Sequence, residues 1–181
     1  MAVETEKKYR LTKDQYDQVQ ADLKEFKAEY IGEDFEENNL YGNDFLKDKG
    51  AVIRVRKIDD KTILTYKQFV TNHSGIKQHI ENETAVTDSE QIDAIIEHLG
   101  FERRMVYEKR RKTWKFRKVE VVLDELPFGL FMEIEGEMMA IAEAEMFLGA
   151  DEFEAEQRTY PYLTKELGVR AENRIEARFG E

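Results

Sequence analysis

The sequence predicts an α+β protein: an eight-stranded antiparallel β-barrel, or tunnel, with helices packed outside it. Three observations carry this. Eight short runs alternate apolar and polar residues with period two, two helices are marked by caps and an apolar stripe, and most strands have a fully ionic polar face. At 181 residues the chain suits one domain, residues 1–181, and is long enough to bury a sizeable core.

The first run, 3–10, places Glu4, Glu6 and Lys8 on one face and Val3, Thr5 and Tyr9 on the other, because alternate strand residues point to the same side. Thr12 and Gln15 form a capping pair for a helix reaching about Ala28, with Tyr16, Val19, Leu23 and Phe26 at helical spacing. Strands follow at 36–42, 51–58 and 62–69, the last two joined at Asp59-Asp60 as a hairpin, and a fifth run covers 76–86. Thr87 with Glu90 opens the second helix, whose stripe Ile92, Ile95, Ile96 and Leu99 ends at Gly100. Runs at 104–117, 119–125 and 130–136 complete the eight, with Pro127-Phe128-Gly129 between the last two. Helices are expected from about Met138 to Leu148 and after Pro161 through Leu167. Connections this short make neighbouring strands mostly antiparallel.

Hydrophobic residues make up 41% of the chain and charged residues 37%, the latter well above the usual quarter. A formal net charge of -11 opposes general attraction to nucleic acid or to an anionic membrane, so an anionic substrate needs a local basic pocket. The acidic run from Glu143 to Glu156 reads as a solvated helix face. No apolar run is long enough to span a bilayer and the opening MAVETEKKYR has no secretory apolar stretch, so a cytoplasmic protein is expected. With no cysteine, thiolate metal sites and a cysteine nucleophile are excluded.

The ionic faces recur with segregated sign. Arg54 and Arg56 share a face opposite Ile53 and Val55, and Lys67 lies opposite Leu64 and Tyr66. Glu81 and Glu83 alternate, as do Lys109 with Arg111 and Glu133 with Glu135. If helices cover the apolar faces, a sheet curled around a wet polar lumen accounts for the pattern. Paired glutamates suit a hard divalent cation, magnesium or manganese. Arg54, Arg56, Lys67, Lys109 and Arg111 suit a polyphosphate, since guanidinium and ammonium groups offset its charge and Arg grips two oxygens at once.

In this order the residues resemble the CYTH family of triphosphate tunnel enzymes. Its ExExK signature reads Glu4-Thr5-Glu6-Lys7-Lys8, followed by IRVR at 53–56, LTYK at 64–67, the Glu81 and Glu83 pair, YEKRRKTW at 107–114 and LDELPFGLFMEIEG at 123–136. The likeness covers about residues 3–167 and is greatest to the bacterial class IV adenylyl cyclase branch. It implies an antiparallel tunnel binding a triphosphate, with Glu4, Glu6, Glu133 and Glu135 around a Mg2+ or Mn2+ ion and Asp124 as a lesser acidic candidate. It also implies that Lys8, Arg54, Arg56, Lys67, Lys109 and Arg111 carry the phosphates. Glu81 and Glu83 then aid a second metal or the nucleophile, and with Lys8 and Tyr41, which matches a family tyrosine near the tunnel mouth, form the catalytic set. The substrates implied are ATP, inorganic triphosphate or thiamine triphosphate, and a homodimer is left open. NLYGND at 39–44 departs from the family's Asp-x-Tyr-Phe-Asp pattern at Asn39, Gly42 and Asn43.

His98 sits at a helix end and His73 in a turn, whereas His79 shares a strand face with Glu81 and Glu83. Trp114 and Phe116 alternate on a strand and read as core rather than as a base-stacking pair. Neither glycine-rich phosphate loop is present. The leading expectation is a cyclase making cyclic AMP and pyrophosphate from ATP. A hydrolase of inorganic or thiamine triphosphate and a non-catalytic nucleotide or polyphosphate binder are the alternatives.

Overall fold

The computed structural model describes residues 5–70 and 78–180. In chain order the elements are β1 (Glu6–Leu11), α1 (Lys13–Glu25), β2 (Glu29–Gly42), α2 (Asp44–Asp48), β3 (Ala51–Ile58), β4 (Lys61–Val70), β5 (Gln78–Val86) and α3 (Ser89–His98). They continue with β6 (Glu102–Phe116), β7 (Val119–Leu126), β8 (Gly129–Glu135), α4 (Met138–Leu148), β9 (Glu154–Ala155), α5 (Tyr160–Leu167), β10 (Val169–Ala171) and β11 (Arg174–Ala177). The class is α+β, dominated by antiparallel strands, as the sequence predicts. No helix among the described residues is long and apolar enough to cross a membrane.

The chain divides into two compact units, the first formed by Glu36–Glu108 with Tyr160–Arg178 and the second by residues 5–35, 109–159 and 179–180. The long strands β2 and β6 each contribute a segment to both.

In the first unit, β3 pairs with β2 and β4, and β4 with β5, all antiparallel. Asp59, at φ 48°, turns β3 into β4. The short strand β11 adds to β6 in parallel, with Ile175 beside Met105, and β10 folds back on β11. One face packs Tyr41, Val55 and Ile96 with Ile53, Leu64, Ile92 and Phe101, which fixes α3 over the strands. The cap of α3 is Asp88 rather than Thr87, because the Asp88 carboxylate accepts from the Glu90 and Gln91 amides. Of the expected stripe on α3, Ile96 is buried while Ile95 and Leu99 are exposed.

In the second unit, the order β6-β7-β8-β1-β9 is antiparallel throughout. Helices α1 and α4 cover its apolar face, burying Tyr9, Val19, Leu23, Trp114, Phe116, Val121, Leu123, Met132, Ile134 and Ile141 among others. The core reading of Trp114 and Phe116 therefore holds. Thr12 and Gln15 form the expected reciprocal cap on α1. Helix α4 ends at Gly149, whose φ of 61° is a left-handed conformation that glycine adopts at no steric cost.

Two differences from expectation have local causes. Strand β2 begins seven residues earlier than the alternation suggested, because Glu29–Phe35 is an exposed, acidic extension with no buried side. The run Glu143–Glu156 is not one solvated helix face, since it passes from α4 through a turn of 3-10 helix at Ala150–Glu152 into β9 and buries Glu156. A third difference lies in the pairings, which among the described residues run as a path from β5 to β9, where a closed tunnel was expected.

Candidate functional site

Each unit presents one ionic face, and in both the register of the strands decides which charges meet. In the second unit Glu6 lies opposite Glu135, Lys8 opposite Glu133, and Arg111 opposite Asp124. Arg111 forms a fork on Asp124, with Nε donating to Oδ1 at 2.7 Å and Nη2 to Oδ2 at 2.6 Å, and Nη2 also donates to Glu133 Oε2 at 2.6 Å. Lys8 Nζ stands 3.1 Å from the other Glu133 oxygen, and Lys109 Nζ 3.7 Å from Asp124 Oδ2. The Asp124 side chain is 0% exposed and that of Lys109 4%, so the two are compensated by neighbouring side chains rather than by water.

Sequence reasoning missed an extension of this cluster. Glu156 accepts from the Arg158 amide and from its guanidinium, and Arg10 Nη2 approaches to 3.6 Å. The bonds from Arg158 are the largest influence on the Glu156 carboxyl, and with Arg10 they outweigh burial and hold it at about 2. The same segment brackets Lys8. The Glu156 amide donates to the Lys8 carbonyl at 2.8 Å, and Lys8 Nζ donates to the Arg158 carbonyl at 3.4 Å. Glu145, in the same acidic run, is bonded by Lys7 and by the Tyr9 hydroxyl on the helix-covered face. The Glu145 carboxylate bonds to residues about 140 positions away, and that of Glu156 pairs with the equally distant Arg10 as well as with Arg158 beside it, partners that no local pattern encodes.

In the first unit the rows Arg54–Thr65–Glu83 and Lys67–Glu81 run across β3, β4 and β5. Arg54 Nη2 spreads over Thr65 at 3.4 Å, Glu81 at 3.4 Å and Glu83 at 3.2 Å, while its Nε is buried and meets no partner among the described residues. Lys67 Nζ is 3.0 Å from Glu81. Burial works to raise the Glu83 carboxyl, but the Thr65 hydrogen bond at 2.6 Å and the charges of Arg54 and Arg56 outweigh it and hold the group below the ordinary carboxylate range. Arg56 Nε donates to Asn38 at 3.3 Å and lies 3.6 Å from the buried Glu36, two residues that the period-two reading did not single out. Tyr107 is buried among them, its phenol pushed up by burial against the opposing pull of Arg54 and Arg56.

Tyr41 does not join the Arg54 face. Its register partner is Ile53, on the helix-covered side, and its hydroxyl donates to Asp93 at 2.7 Å and accepts from Arg103 at 2.9 Å. Burial and the Asp93 carboxylate push its phenol well above the usual range. Lys57 completes this cluster 2.9 Å from Asp93. The resemblance had grouped Tyr41 with the catalytic residues; strand alternation turns it to the other face.

Glu4 and His73 lie outside the described residues, as does the side chain of His79. Of the carboxylates assigned to a metal, Glu6 and Glu135 are register partners and Glu133 is two positions from Glu135 on the same face. Their oxygens are the donor type that a hard divalent cation takes. Among the described residues no three acidic or histidine side chains converge closely enough to hold an ion. Asp124, with both oxygens engaged by Arg111, acts here as a counter-ion.

This is an α+β fold with acid and base paired on ionic strand faces. A family model described as the CYTH domain matches residues 2–167, and the chain belongs to that family, a family of triphosphate tunnel proteins. Solved structures share the fold. The PH1012 protein from Pyrococcus horikoshii OT3 is 24% identical at a TM-score of 0.73, covering 87% of this chain and 96% of its own. A candidate adenylate cyclase from Vibrio parahaemolyticus is 21% identical at 0.67, covering 88% and 95%. A candidate adenylyl cyclase from Hippeastrum, described as having a dominant triphosphatase activity, is 15% identical at 0.69, covering 94% and 98%. Comparison with curated proteins gave no match.

Proposed function

We propose that the chain is a divalent-metal-dependent enzyme acting on a triphosphate, converting ATP to cyclic AMP and pyrophosphate as a class IV adenylyl cyclase does. The observation that carries this reading is the Arg54 cluster: its Nη2 is shared among Thr65, Glu81 and Glu83 at 3.2 to 3.4 Å, long bonds that a phosphate oxygen can replace. Arg54, Arg56 and Lys67 bind phosphate oxygens, as do Lys8, Lys109 and Arg111. Glu6, Glu133 and Glu135, with Glu4, are the residues that would hold Mg2+ or Mn2+. The ion, when bound, supplies positive charge to the phosphate oxygens.

In the reaction the ribose 3′-oxygen attacks the α-phosphorus, the bond from that phosphorus to the bridging oxygen breaks, and pyrophosphate leaves. The 3′-hydroxyl proton passes to a carboxylate of the Glu81 and Glu83 pair, of which Glu83 is held ionised by Thr65, Arg54 and Arg56. The cations offset charge on the departing pyrophosphate, the usual means of accelerating phosphoryl transfer. The same reading makes residues 1–181 one catalytic domain, supported by a CYTH match that runs through segments of both units. It also places the enzyme in the cytoplasm, with a small-molecule substrate rather than nucleic acid or membrane, in keeping with the net charge of -11.

A second reading, hydrolysis of inorganic or thiamine triphosphate, is favoured by the triphosphatase activity described for the Hippeastrum protein. Incubation with ATP, inorganic triphosphate and thiamine triphosphate, each with magnesium or manganese, separates the two. Cyclic AMP that disappears in Glu6→Gln and Arg54→Ala supports the cyclase. Orthophosphate lost in the same variants moves the assignment to a hydrolase, and no product from any substrate overturns the enzyme reading.

A further inference from the structure

Strand β9 pairs with β1 at Ala155 and Glu154, opposite Tyr9 and Arg10, and one further bond extends the ladder, from the Glu156 amide to the Lys8 carbonyl at 2.8 Å. Glu156 therefore stands beside Lys8, whose neighbour on the other side of β1 is Glu133. Past this bond the chain turns, and the Glu156 side chain holds the turn. Its Oε1 accepts from the Arg158 amide at 2.9 Å and from Arg158 Nε at 2.8 Å, and its Oε2 accepts from Nη2 at 2.6 Å. Arg10 Nη2 adds a second cation 3.6 Å from Oε2. The carboxylate side chain is only 4% exposed, and charge-assisted bonds are the strong kind, so residues 156–158 have little freedom. One result is the direction of the Arg158 carbonyl, which accepts from Lys8 Nζ at 3.4 Å.

A lysine is a compact charge on a flexible four-carbon stem, so its acceptors decide where that charge stands. Lys8, with a side chain 8% exposed, has Glu133 Oε1 at 3.1 Å and the Arg158 carbonyl. Glu133 is a poor anchor by itself. Its other oxygen is engaged by Arg111 Nη2 at 2.6 Å, and it is one of the carboxylates that would hold a metal ion. The Arg158 carbonyl is neutral, so it fixes the ammonium without cancelling the charge that a phosphate needs.

We propose that Glu156 is a positioning residue for Lys8: it folds residues 156–158 so that the Arg158 carbonyl holds the Lys8 ammonium on the ionic face, in place for a phosphate. The assignment rests on the reading of Lys8 as a phosphate-binding residue. A double-mutant cycle on the full chain, with tripolyphosphate binding measured by calorimetry, tests it. Glu156→Ala is expected to weaken binding at least about fivefold when Lys8 is present and less than about twofold in a Lys8→Ala background. Glu156→Gln, which keeps an oxygen for the Arg158 amide, should recover most of the loss. If Glu156→Ala fails to fold, Arg158→Ala takes its place in the cycle, because it removes the guanidinium bonds to Glu156 from a side chain that is itself half-exposed. Its effect should again require Lys8, whereas an arginine that touched the phosphate directly would weaken binding equally in both backgrounds. Equal losses with and without Lys8, or no loss with Lys8 present, overturn the proposal and leave the site reading intact. So does a Lys8→Ala variant that binds as well as the unaltered chain while Arg54→Ala binds more weakly. If the unaltered chain does not bind tripolyphosphate, the site reading and the proposal fall together.

Discussion

Arg111 and Arg54 occupy comparable positions on the ionic faces of the two units, yet they are held differently. Arg111 grips the fully buried Asp124 through bonds of 2.7 and 2.6 Å and reaches Glu133 at 2.6 Å. Arg54 is spread over three acceptors at 3.2 to 3.4 Å, one of them Glu83 with a side chain 43% exposed. The first arrangement is a closed network in which each charge depends on its neighbours for solvation. The second has bonding capacity to spare. Charge of the same kind on the same sort of strand is therefore held tightly in one unit and loosely in the other.

Removing the counter-ion in the second unit should have the largest effect. Asp124→Ala leaves Arg111 and Lys109 partly uncompensated in a buried site and is expected to cost about 3–5 kcal/mol, read by urea unfolding. A loss below about 1 kcal/mol would mean that water enters the site and that the contrast with Arg54 is false. Next, Arg54→Ala should raise the dissociation constant for tripolyphosphate at least tenfold, about 1.4 kcal/mol, in calorimetry while the unfolding midpoint hardly moves.

Tyr41→Phe tests the face assignment. Loss of the hydroxyl leaves Asp93 with Lys57 and Arg103, so a stability decrease of about 1–2 kcal/mol is expected with tripolyphosphate affinity unchanged. A tenfold weaker affinity would return Tyr41 to the ligand site. The smallest effect concerns pH. The Glu156 carboxyl sits at about 2 when folded against an ordinary value of 4.5, so its contribution to stability is complete above about 4.5 and is lost as pH falls toward 2. Glu156→Gln should flatten that part of the acid unfolding curve and leave stability at neutral pH offset by a constant amount.

Much of this was legible from local pattern. The bounds of α4 match expectation, as do the α1 capping pair and the β3 to β4 hairpin, because caps, turn residues and helical stripes are properties of neighbouring residues. The separation of ionic from apolar strand faces was equally plain, since it needs only alternation. Short elements were not: α2 has five residues, and β9, β10 and β11 have two to four, too few to show a period. Nor were Asp93, Glu36, Asn38 or Glu156, each of which gains its meaning from a partner on another strand or helix.

Sequence was sufficient to fix which side of each strand is charged, which helices cover the apolar sides, and which kinds of ligand such charges suit. Folding settled which acid neutralises which base. It joined Arg111 to Asp124 and Glu133, wrapped Arg158 around Glu156 beside Lys8, and set Tyr41 against Asp93, 52 residues away, on the side opposite Arg54. The reason is physical. Alternation is imposed by the pleat of a single strand, whereas the cost of a buried charge is met only by groups that register and packing bring within bonding distance.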